Sequence, residues 1–289
     1  MYKQKLCLGI DKSYDLSLEE QILLCKKVGF EEIFLSDCDK EKLDIPSLCK
    51  KAREENIYVQ SLHAPFNKSD DMWDEEGELA DIAVNELLHY VEVCADNQIP
   101  IMVTHAFIGF DTGRVPTQAG VERYGKVARR AGELGVKLAL ENTEGDEFLA
   151  TLMEALKGEK STGFCWDSGH EQCYNYGRDL LSLYGDRLFC THLNDNLGIR
   201  DYNGRIFWHD DLHLMPFDGI IDWQNAAEKL SRCGFDGTLT FELNIRSKPN
   251  RIDNYKYENL TVEQYFTEAY ARACKIATMK IKADEARFK

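Results

Sequence analysis

The sequence has little positive charge and no long apolar run. Lys and Arg number 35 against 50 Asp and Glu in 289 residues, which gives a net charge of −15 at pH 7. A protein that binds DNA, RNA or an anionic membrane usually presents a basic face, so this balance argues against those partners. No stretch reaches the roughly eighteen apolar residues that a membrane span needs. A small, largely neutral ligand fits the composition better.

Cysteine pairs of the CxxC type are also missing, although the chain has 10 cysteines. These cysteines are scattered through strand-like and helix-like runs, unlike the dense cysteines of small disulfide-rich secreted domains. The N-terminal stretch MYKQKLCLGID lacks the pattern of a signal peptide. We therefore expect reduced thiols and a cytoplasmic location.

Eight short apolar runs recur along the chain, with amphipathic helical patterns between them. Each run has the length and the β-branched, Leu or Phe character of a strand that is buried on both faces. The runs are KLCLGID (5–11), EIFLSD (32–37), YVQSLHAP (58–65), IPIMVTHAF (99–107), VKLALEN (136–142), STGFCWD (161–167), LFCTHLND (188–195) and TLTFELN (238–244). The helical patterns cover 17–30, 44–56, 81–97, 121–135, 147–159, 222–234 and 262–282, with a weaker one at 179–185.

Strand followed by helix, eight times over, is the pattern of a (β/α)₈ TIM barrel, which is an α/β fold. A doubly wound sheet would need a glycine-rich phosphate turn after its first strand, and LGIDKSYD has none. No linker or low-complexity segment interrupts the chain, so we expect a single domain over residues 1–289. The long connections 64–80, 106–120, 196–221 and 246–261 are expected on the catalytic face of the barrel.

All eight strand-like runs end near an acidic residue or a histidine. These residues are Asp11, Asp37, His63, His105, Glu141, Asp167, His192 and Glu242. The carboxyl ends of barrel strands meet at one mouth, where such a ring of carboxylates would repel itself unless it held cations. We expect Asp11 and Asp37 to cap the turns that follow them instead.

The strongest metal-ligand candidates are Glu141, Asp167, His192 and Glu242, from the fifth to the eighth strands in order. Carboxylate oxygen and imidazole nitrogen are suitable ligands for a divalent ion such as Mn²⁺, Co²⁺, Zn²⁺ or Mg²⁺, and the absence of thiolates disfavours a structural zinc. Among the aromatic residues near the mouth, Trp166 is the one expected at the site, because it lies just inside a strand end.

The chain resembles the xylose isomerase-like TIM-barrel superfamily. That group contains sugar and sugar-phosphate isomerases and epimerases, and also abasic-site nucleases of the endonuclease IV type. The motifs that carry the resemblance are SLHAP (61–65), VTHAF (103–107), ALENTEGDE (139–147), CWDSGH (165–170), THLNDN (191–196), HDDLHLMPFDGIIDW (209–223) and FELN (241–244). They span nearly the whole chain in the family's order.

Resemblance to the ketose 3-epimerase branch implies that Glu141, Asp167, His192 and Glu242 bind the metal ion. It also implies that Glu141 and Glu242 are the catalytic acid/base pair. The residues expected to contact the substrate are His63, His105, Glu147, Trp166, His170 and Arg200. Arg200 is the nearest substitute for an arginine that the branch has six residues after the metal-binding histidine, where this chain has Gly198.

Such a site supports proton transfer on a sugar or sugar phosphate. A divalent ion would stabilise the enediolate, while one glutamate takes a proton and the other returns one. Return to the same carbon epimerises the sugar, whereas return to the adjacent carbon isomerises it, and both outcomes stay open. We therefore expect a metal-dependent sugar isomerase or epimerase with a small-molecule partner, no nucleic acid or membrane partner, and possible homo-oligomers through the exterior helices.

Endonuclease IV is the principal alternative. The nine ligands of its three-zinc site are matched in order by His63, His105, Glu141, Asp167, His170, His192, Asp211, His213 and Glu242, so His63, His105, His170, Asp211 and His213 are additional ligands if the site is multinuclear. A nuclease needs loops that bind phosphates, yet the loops NKSDDMWDEEGE and NDNLGIRDYNGRIFWHDD are mixed or acidic. Further alternatives are an inosose-type dehydratase and a non-catalytic polyol-binding barrel.

Overall fold

Eight parallel strands surrounded by helices make up the computed structural model, which describes residues 4–38, 42–110, 112–199 and 207–287. The strands are β1 (Leu6–Ile10), β2 (Glu32–Ser36), β3 (Tyr58–His63), β4 (Ile101–His105), β5 (Lys137–Glu141), β6 (Thr162–Asp167), β7 (Leu188–His192) and β8 (Leu239–Phe241). The α-helices are α1 (Leu18–Val28), α2 (Ile45–Glu54), α3 (Glu78–Asp96), α4 (Gln118–Leu134), α5 (Asp146–Ala155), α6 (Ser168–Cys173), α7 (Leu180–Tyr184), α8 (Trp223–Arg232) and α9 (Val262–Arg287).

The strands follow one another round the sheet in the order β7-β6-β5-β4-β3-β2-β1-β8. Contacts between the segments of β7 and β8 close this sheet into a barrel. Leu193 bridges to Phe241 in parallel fashion, and the Leu193 amide donates to the Thr240 carbonyl at 2.7 Å. The Thr240 amide donates to Thr191 Oγ1 at 3.1 Å, so a side chain replaces one bond of the regular ladder. The predicted TIM barrel is confirmed.

Because side chains alternate between the two faces of each strand, the apolar core has two parts. A large apolar cluster, which includes Leu138, Leu140 and Phe164, fills the space between the barrel and the helices. A small cluster fills the barrel interior and consists of Ile101, Val103, Ala139, Cys165 and Cys190, with Phe189 against it. Because successive side chains of a strand point to opposite faces, the residues two positions after the interior ones also point inward, at the carboxyl end.

Local sequence signals explain where the helices begin and end. Ser17 and Glu20 form the predicted capping box of α1, and Gly29 ends that helix with φ of +117°, in the left-handed region that glycine tolerates. The predicted helices agree with α1–α5 and α7–α9 within a few residues. The six-residue α6 was not predicted, because it contains Gly169 and is too short for a periodic pattern.

The 10 cysteines are all free thiols. Over the part of the chain that the structure describes, no helix combines the length and the apolar character needed to cross a membrane.

Candidate metal centre

The predicted ring of polar strand ends forms at one mouth of the barrel. His105, Glu141, Asp167 and His192 each lie two residues after a residue of the interior cluster, namely Val103, Ala139, Cys165 and Cys190. The same alternation that buries those apolar side chains therefore turns the polar ones inward at the carboxyl ends. All four polar residues are buried.

Four of these strand ends form what we call the central group: Glu141, Asp167, His192 and Glu242. One ligand atom from each lies within 4.8 Å of those from the other three. His192 Nδ1 lies 3.0 Å from Glu141 Oε1 and 3.0 Å from Glu242 Oε2, so the two glutamates flank one imidazole nitrogen. The Glu141 side chain is fully buried, whereas that of Glu242 is 23% exposed and opens to solvent. The central group therefore has a closed side and an accessible side.

A second group consists of His63, His105 and Glu141, and it shares Glu141 with the central group. His63 Nε2 lies 3.0 Å from Glu141 Oε2, and His105 Nε2 lies 3.6 Å from the same oxygen. Cys165 Sγ is also within 4.8 Å of ligand atoms of Glu141 and His192. Glu141 is thus shared by the central group, the second group and the set that includes Cys165.

A third group consists of His170, Asp211 and His213. His170 lies on α6, three residues after Asp167. Asp211 and His213 lie in the connection between β7 and α8. Asp211 Oδ1 lies 2.8 Å from His213 Nε2 and 3.4 Å from His170 Nε2. His213 has φ of +49°, a conformation uncommon for a residue with a side chain, and strain of this kind concentrates at functional sites.

Neighbouring groups fix the orientation of these side chains. His63 Nδ1 donates to the Ala64 carbonyl at 2.8 Å, since a carbonyl oxygen only accepts, and this bond directs Nε2 toward the site. In the same way, His170 Nδ1 lies 3.0 Å from the Asn142 carbonyl. Such outer contacts hold metal-binding histidines in the correct tautomer in known metal sites.

Two further contacts hold members of the central and second groups. Asn194 Nδ2 donates to Asp167 Oδ2 at 2.8 Å. The ring of Phe66 stacks on His105 with centroids 4.2 Å apart. The candidate ligands are therefore held by hydrogen bonds and packing before any ion binds.

The carboxylates of the central group differ in their pKa values. Burial, together with the charge of Glu141, raises the pKa of Asp167 to about 6. Burial opposes ionisation of Glu242 as well, but His192 lowers the pKa of that carboxyl to about 2. Burial likewise disfavours the charged form of Glu141, yet contact with His192 holds its pKa well below the usual range. Carboxylates kept ionised in a buried mouth are suited to hold a cation.

The histidines of the second and third groups also differ in pKa. Burial, together with the charge of the neighbouring His63, lowers the pKa of His105 to about 3, so His105 is neutral. Burial opposes the charged form of His213, but Asp211 raises its pKa to about 9. A metal ion that binds a protonated histidine must displace its proton, so occupation of these groups releases protons.

Comparison with known proteins identifies the family. The model of the xylose isomerase-like TIM barrel family matches residues 22–261. The chain belongs to this family. A probable endonuclease 4 of Nitrosopumilus maritimus is 28% identical over 219 residues, which cover 66% of this chain and 75% of that protein. An uncharacterised protein of Sinorhizobium fredii is 26% identical over 208 residues, which cover 68% of this chain and 60% of the relative.

The fold is also that of solved members of the family. An L-ribulose 3-epimerase superposes with a TM-score of 0.72 at 17% identity, and the alignment covers 99% of this chain and 97% of the other. At that level of identity the likeness concerns the fold. The family model and the superposition together confirm the predicted superfamily.

Not every predicted site residue lies where the sequence suggested. Trp166 is buried in the cluster between barrel and helices, and its Nε1 donates to Glu171 Oε2 at 2.8 Å. It follows the interior residue Cys165, so alternation turns it away from the mouth, and the prediction that it contacts substrate is wrong. Arg200 lies outside the described residues.

Glu147 is exposed in the first turn of α5. It lines a cavity of ≈ 590 Å³ together with Glu144, Phe110 and Tyr174, whose ring lies 4.8 Å from that of His170. A substrate contact by Glu147 stays a prediction. Glu144 is buried and accepts from the Gly109 amide at 2.8 Å, and burial raises the pKa of its carboxyl.

The two remaining strand ends have the structural roles predicted for them. Asp11 Oδ1 accepts from the Ser13 amide at 2.5 Å, which closes a turn. Asp37 Oδ1 accepts from the Leu43 amide at 2.8 Å, and Tyr90 donates its hydroxyl proton to the other oxygen.

Lys248 is a residue of the site that sequence reasoning missed. Its Nζ lies 3.2 Å from Asp211 Oδ2, although it belongs to the connection after β8. Its location in one of the four long connections was the only signal, because loop cations are usually solvated.

Proposed function

We propose that the protein is a metal-dependent isomerase or epimerase of sugars or sugar phosphates. The observation that carries the proposal is the central group, in which three carboxylates and one imidazole converge within 4.8 Å at the mouth of a TIM barrel. Buried carboxylates at such distances repel one another unless a cation lies among them. The donor set of three oxygens and one nitrogen fits a divalent ion such as Mn²⁺, Co²⁺, Zn²⁺ or Mg²⁺.

In this proposal Glu141, Asp167, His192 and Glu242 hold the ion. When bound, a divalent ion acts as a Lewis acid that stabilises negative charge on the oxygens of an adjacent ligand. Asn194 keeps Asp167 in place through its hydrogen bond of 2.8 Å. The buried side of the mouth excludes water, which strengthens these electrostatic interactions.

Glu141 and Glu242 are the proposed acid and base. Both lie 3.0 Å from His192 Nδ1 and reach it from different strands, so a substrate bound beside His192 has a carboxylate within reach on two sides. One glutamate accepts the proton from the carbon next to the carbonyl, and the other returns a proton. His63, His105, Glu147, His170 and Arg200 are the residues proposed to contact the substrate.

Two further observations support sugar chemistry. The fold superposes along nearly its whole length on an L-ribulose 3-epimerase. The net charge of −15 suits a small ligand better than a polyanion. A cytoplasmic location, which free thiols support, and homo-oligomer formation are part of the same proposal.

A phosphodiesterase that acts on abasic DNA is the second candidate. The observation in its favour is that all nine matched residues converge into three groups. His170 Nδ1, which lies 3.6 Å from Glu141 Oε1, connects the third group to the other two. The probable endonuclease 4 of Nitrosopumilus maritimus is also among the relatives. Against it, a nuclease needs cations along the phosphate backbone, and the acidic balance of the chain disfavours that.

The test is a panel of substrates offered to the protein after it has been loaded with Mn²⁺, Co²⁺, Zn²⁺ or Mg²⁺. Free ketoses, ketose phosphates and inosose are incubated in D₂O and followed by NMR, and abasic-site duplex is incubated at physiological salt. We expect solvent deuterium at the carbon next to the carbonyl of a ketose. Glu242→Gln should abolish this exchange, while Glu133→Gln, on the outer surface of α4, should leave it unchanged.

Each other result of the substrate panel would indicate one of the alternative functions. Incision of abasic duplex without sugar turnover would establish the phosphodiesterase. Loss of water from inosose would indicate a dehydratase. Tight sugar binding without deuterium exchange, in protein that holds its metal, would indicate a non-catalytic polyol-binding barrel.

A further inference from the structure

The third group, His170–Asp211–His213, carries a different charge from the central group. The central group has three carboxylates for one imidazole, whereas the third group has one carboxylate for two imidazoles. A divalent ion in the central group would thus meet negative charge in excess of its own. In the third group it would meet only the single negative charge of Asp211.

That single charge already has a cationic partner. Lys248 Nζ lies 3.2 Å from Asp211 Oδ2, and the side chains of the two residues are 18% and 11% exposed. The same ammonium lies 5.7 Å from the ring centroid of Trp208. By contrast, no lysine or arginine of the described residues forms an ion pair with Glu141, Asp167 or Glu242.

The loop that carries Lys248 is fixed against the segment that carries Asp211. Arg251 Nη1 lies 3.3 Å from Asp210 Oδ1, and the Arg251 amide donates to the Lys248 carbonyl at 3.0 Å. Asn254 Nδ2 donates to the Leu212 carbonyl at 3.3 Å, on the other side of Asp211. The backbone on either side of Lys248 and Asp211 is therefore tied together, which keeps the ammonium beside the carboxylate.

We propose that Lys248 takes the place of a metal ion at the third group, so that bound ions occupy only the groups that contain Glu141. This proposal rests on the metal chemistry proposed above. A divalent ion bound between His170 and His213 would place its double positive charge next to the Lys248 ammonium, which already pairs with the only carboxylate of the group. The ion would therefore have to displace that ammonium. The centre then lacks the third zinc of the nuclease-type site.

The experiment counts zinc ions. Wild type, Lys248→Met and Lys256→Met are stripped with a chelator, reloaded with excess Zn²⁺, desalted and analysed for zinc per chain. Methionine keeps an apolar stem beside Trp208 and removes only the charge. Lys256, whose Nζ lies 3.2 Å from Asp218 Oδ1, supplies a charge-matched control on the same connection.

We expect Lys248→Met to hold one zinc ion more per chain than wild type, and Lys256→Met to equal wild type. Asp211→Asn in the Lys248→Met background should remove the additional ion, which assigns it to the third group. Lys248→Gln, which tests the charge with a different side chain, should show the same gain if Met disturbs folding.

Equal zinc content in wild type and both Lys248 variants would overturn the proposal, and so would an extra ion that persists after Asp211→Asn. Failure of the proposed function has a different signature. In that case wild type would bind no zinc at all, or would bind zinc without catalysing deuterium exchange.

Discussion

At the scale of single residues, the position of Asp167 depends on a glycine in its own motif. A Cβ added at Gly169 would lie 1.9 Å from Asn194 Oδ1, so that no other residue fits there without displacing Asn194. Asn194 in turn donates to Asp167 Oδ2. Gly169 thus permits the hydrogen bond that holds one of the proposed ligands.

Gly169→Ala is therefore expected to weaken metal binding by about 10–100-fold, the usual cost of losing an outer contact to a metal ligand. Isothermal titration of chelator-stripped protein with Mn²⁺ measures the effect. Gly158→Ala is the control, because a Cβ there meets no atom within 4 Å and should leave the affinity unchanged. Equal affinities in the two variants would show that Asn194 does not support the ligand.

The sequence predicts which residues converge at the mouth better than it predicts which face a particular side chain takes. Glu141, Asp167, His192 and Glu242 were all placed by the ends of apolar runs, a signal that tolerates an error of one or two residues. Trp166 was misplaced by a shift of one position, which in a strand reverses the face. Lys248 was missed because its contact with Asp211 joins two irregular loops, where no periodicity exists.

At the scale of secondary-structure elements, a hydrogen bond from a backbone amide to a side chain joins β7 and β8 where the barrel closes. Thr191 Oγ1 accepts the Thr240 amide at 3.1 Å, and both residues are fully buried. Thr191→Val should lower the free energy of unfolding by about 1–3 kcal/mol, because it leaves a buried amide without an acceptor.

Hydrogen exchange of the Thr240 amide provides the specific measurement for this junction. The Thr240 amide proton should exchange faster in Thr191→Val than in Thr191→Ser, which keeps the hydroxyl and loses only a methyl group. If Thr240 were equally protected in both variants, the hydroxyl would not be the acceptor that closes the barrel.

Asp218 joins the connection after β7 to α9. It accepts from the Tyr257 hydroxyl at 2.6 Å and pairs with Arg272 Nη1 at 2.8 Å. Burial opposes its ionisation, but the bonds from Tyr257 and Arg272 lower its pKa below the usual value. Because the folded-state pKa lies below that of the unfolded chain, Asp218 stabilises the protein above about pH 4, and this contribution is lost as pH falls through the folded-state pKa.

Asp218→Asn should thus lower the free energy of unfolding at pH 7 by about 1 kcal/mol, with the difference from wild type shrinking below about pH 4. Urea unfolding at several pH values measures it. Glu268→Gln removes the exposed partner of the same Arg272 and should change stability by less than about 0.5 kcal/mol. A difference for Asp218→Asn that stayed constant down to pH 3 would contradict this assignment.

Elements with a clear hydrophobic pattern were predicted well, whereas the location of α6 and the length of β8 were not. The amphipathic patterns located α1–α5 and α7–α9, and eight buried runs located eight strands, because burial on both faces requires continuous apolar sequence. The three-residue β8 is shorter than the seven-residue run that predicted it. The six-residue α6 forms because the Asp167 side chain accepts from the His170 amide at 2.6 Å, a contact that periodicity does not encode.

At the scale of the whole molecule, the barrel brings together residues that are far apart in the chain. Glu141 and Glu242 meet at one imidazole across the closure of β7 and β8, and this convergence follows from the fold alone. The sequence therefore sufficed for the barrel and for the central group. It did not suffice for the charge state of the third group, because that depends on a lysine brought in by tertiary contacts.

The most direct test of the account is the metal content of the purified protein and of three variants, Glu141→Gln, Asp167→Asn and Glu242→Gln, with Glu133→Gln as a surface control. Elemental analysis after loading should find a divalent metal in wild type and in the control. Each of the three variants should lose metal while keeping the circular dichroism of the wild type. Wild-type protein that stays free of metal after exposure to Mn²⁺, Co²⁺, Zn²⁺ and Mg²⁺, or central-group variants that retain it in full, would contradict the claim that these four strand ends bind one ion.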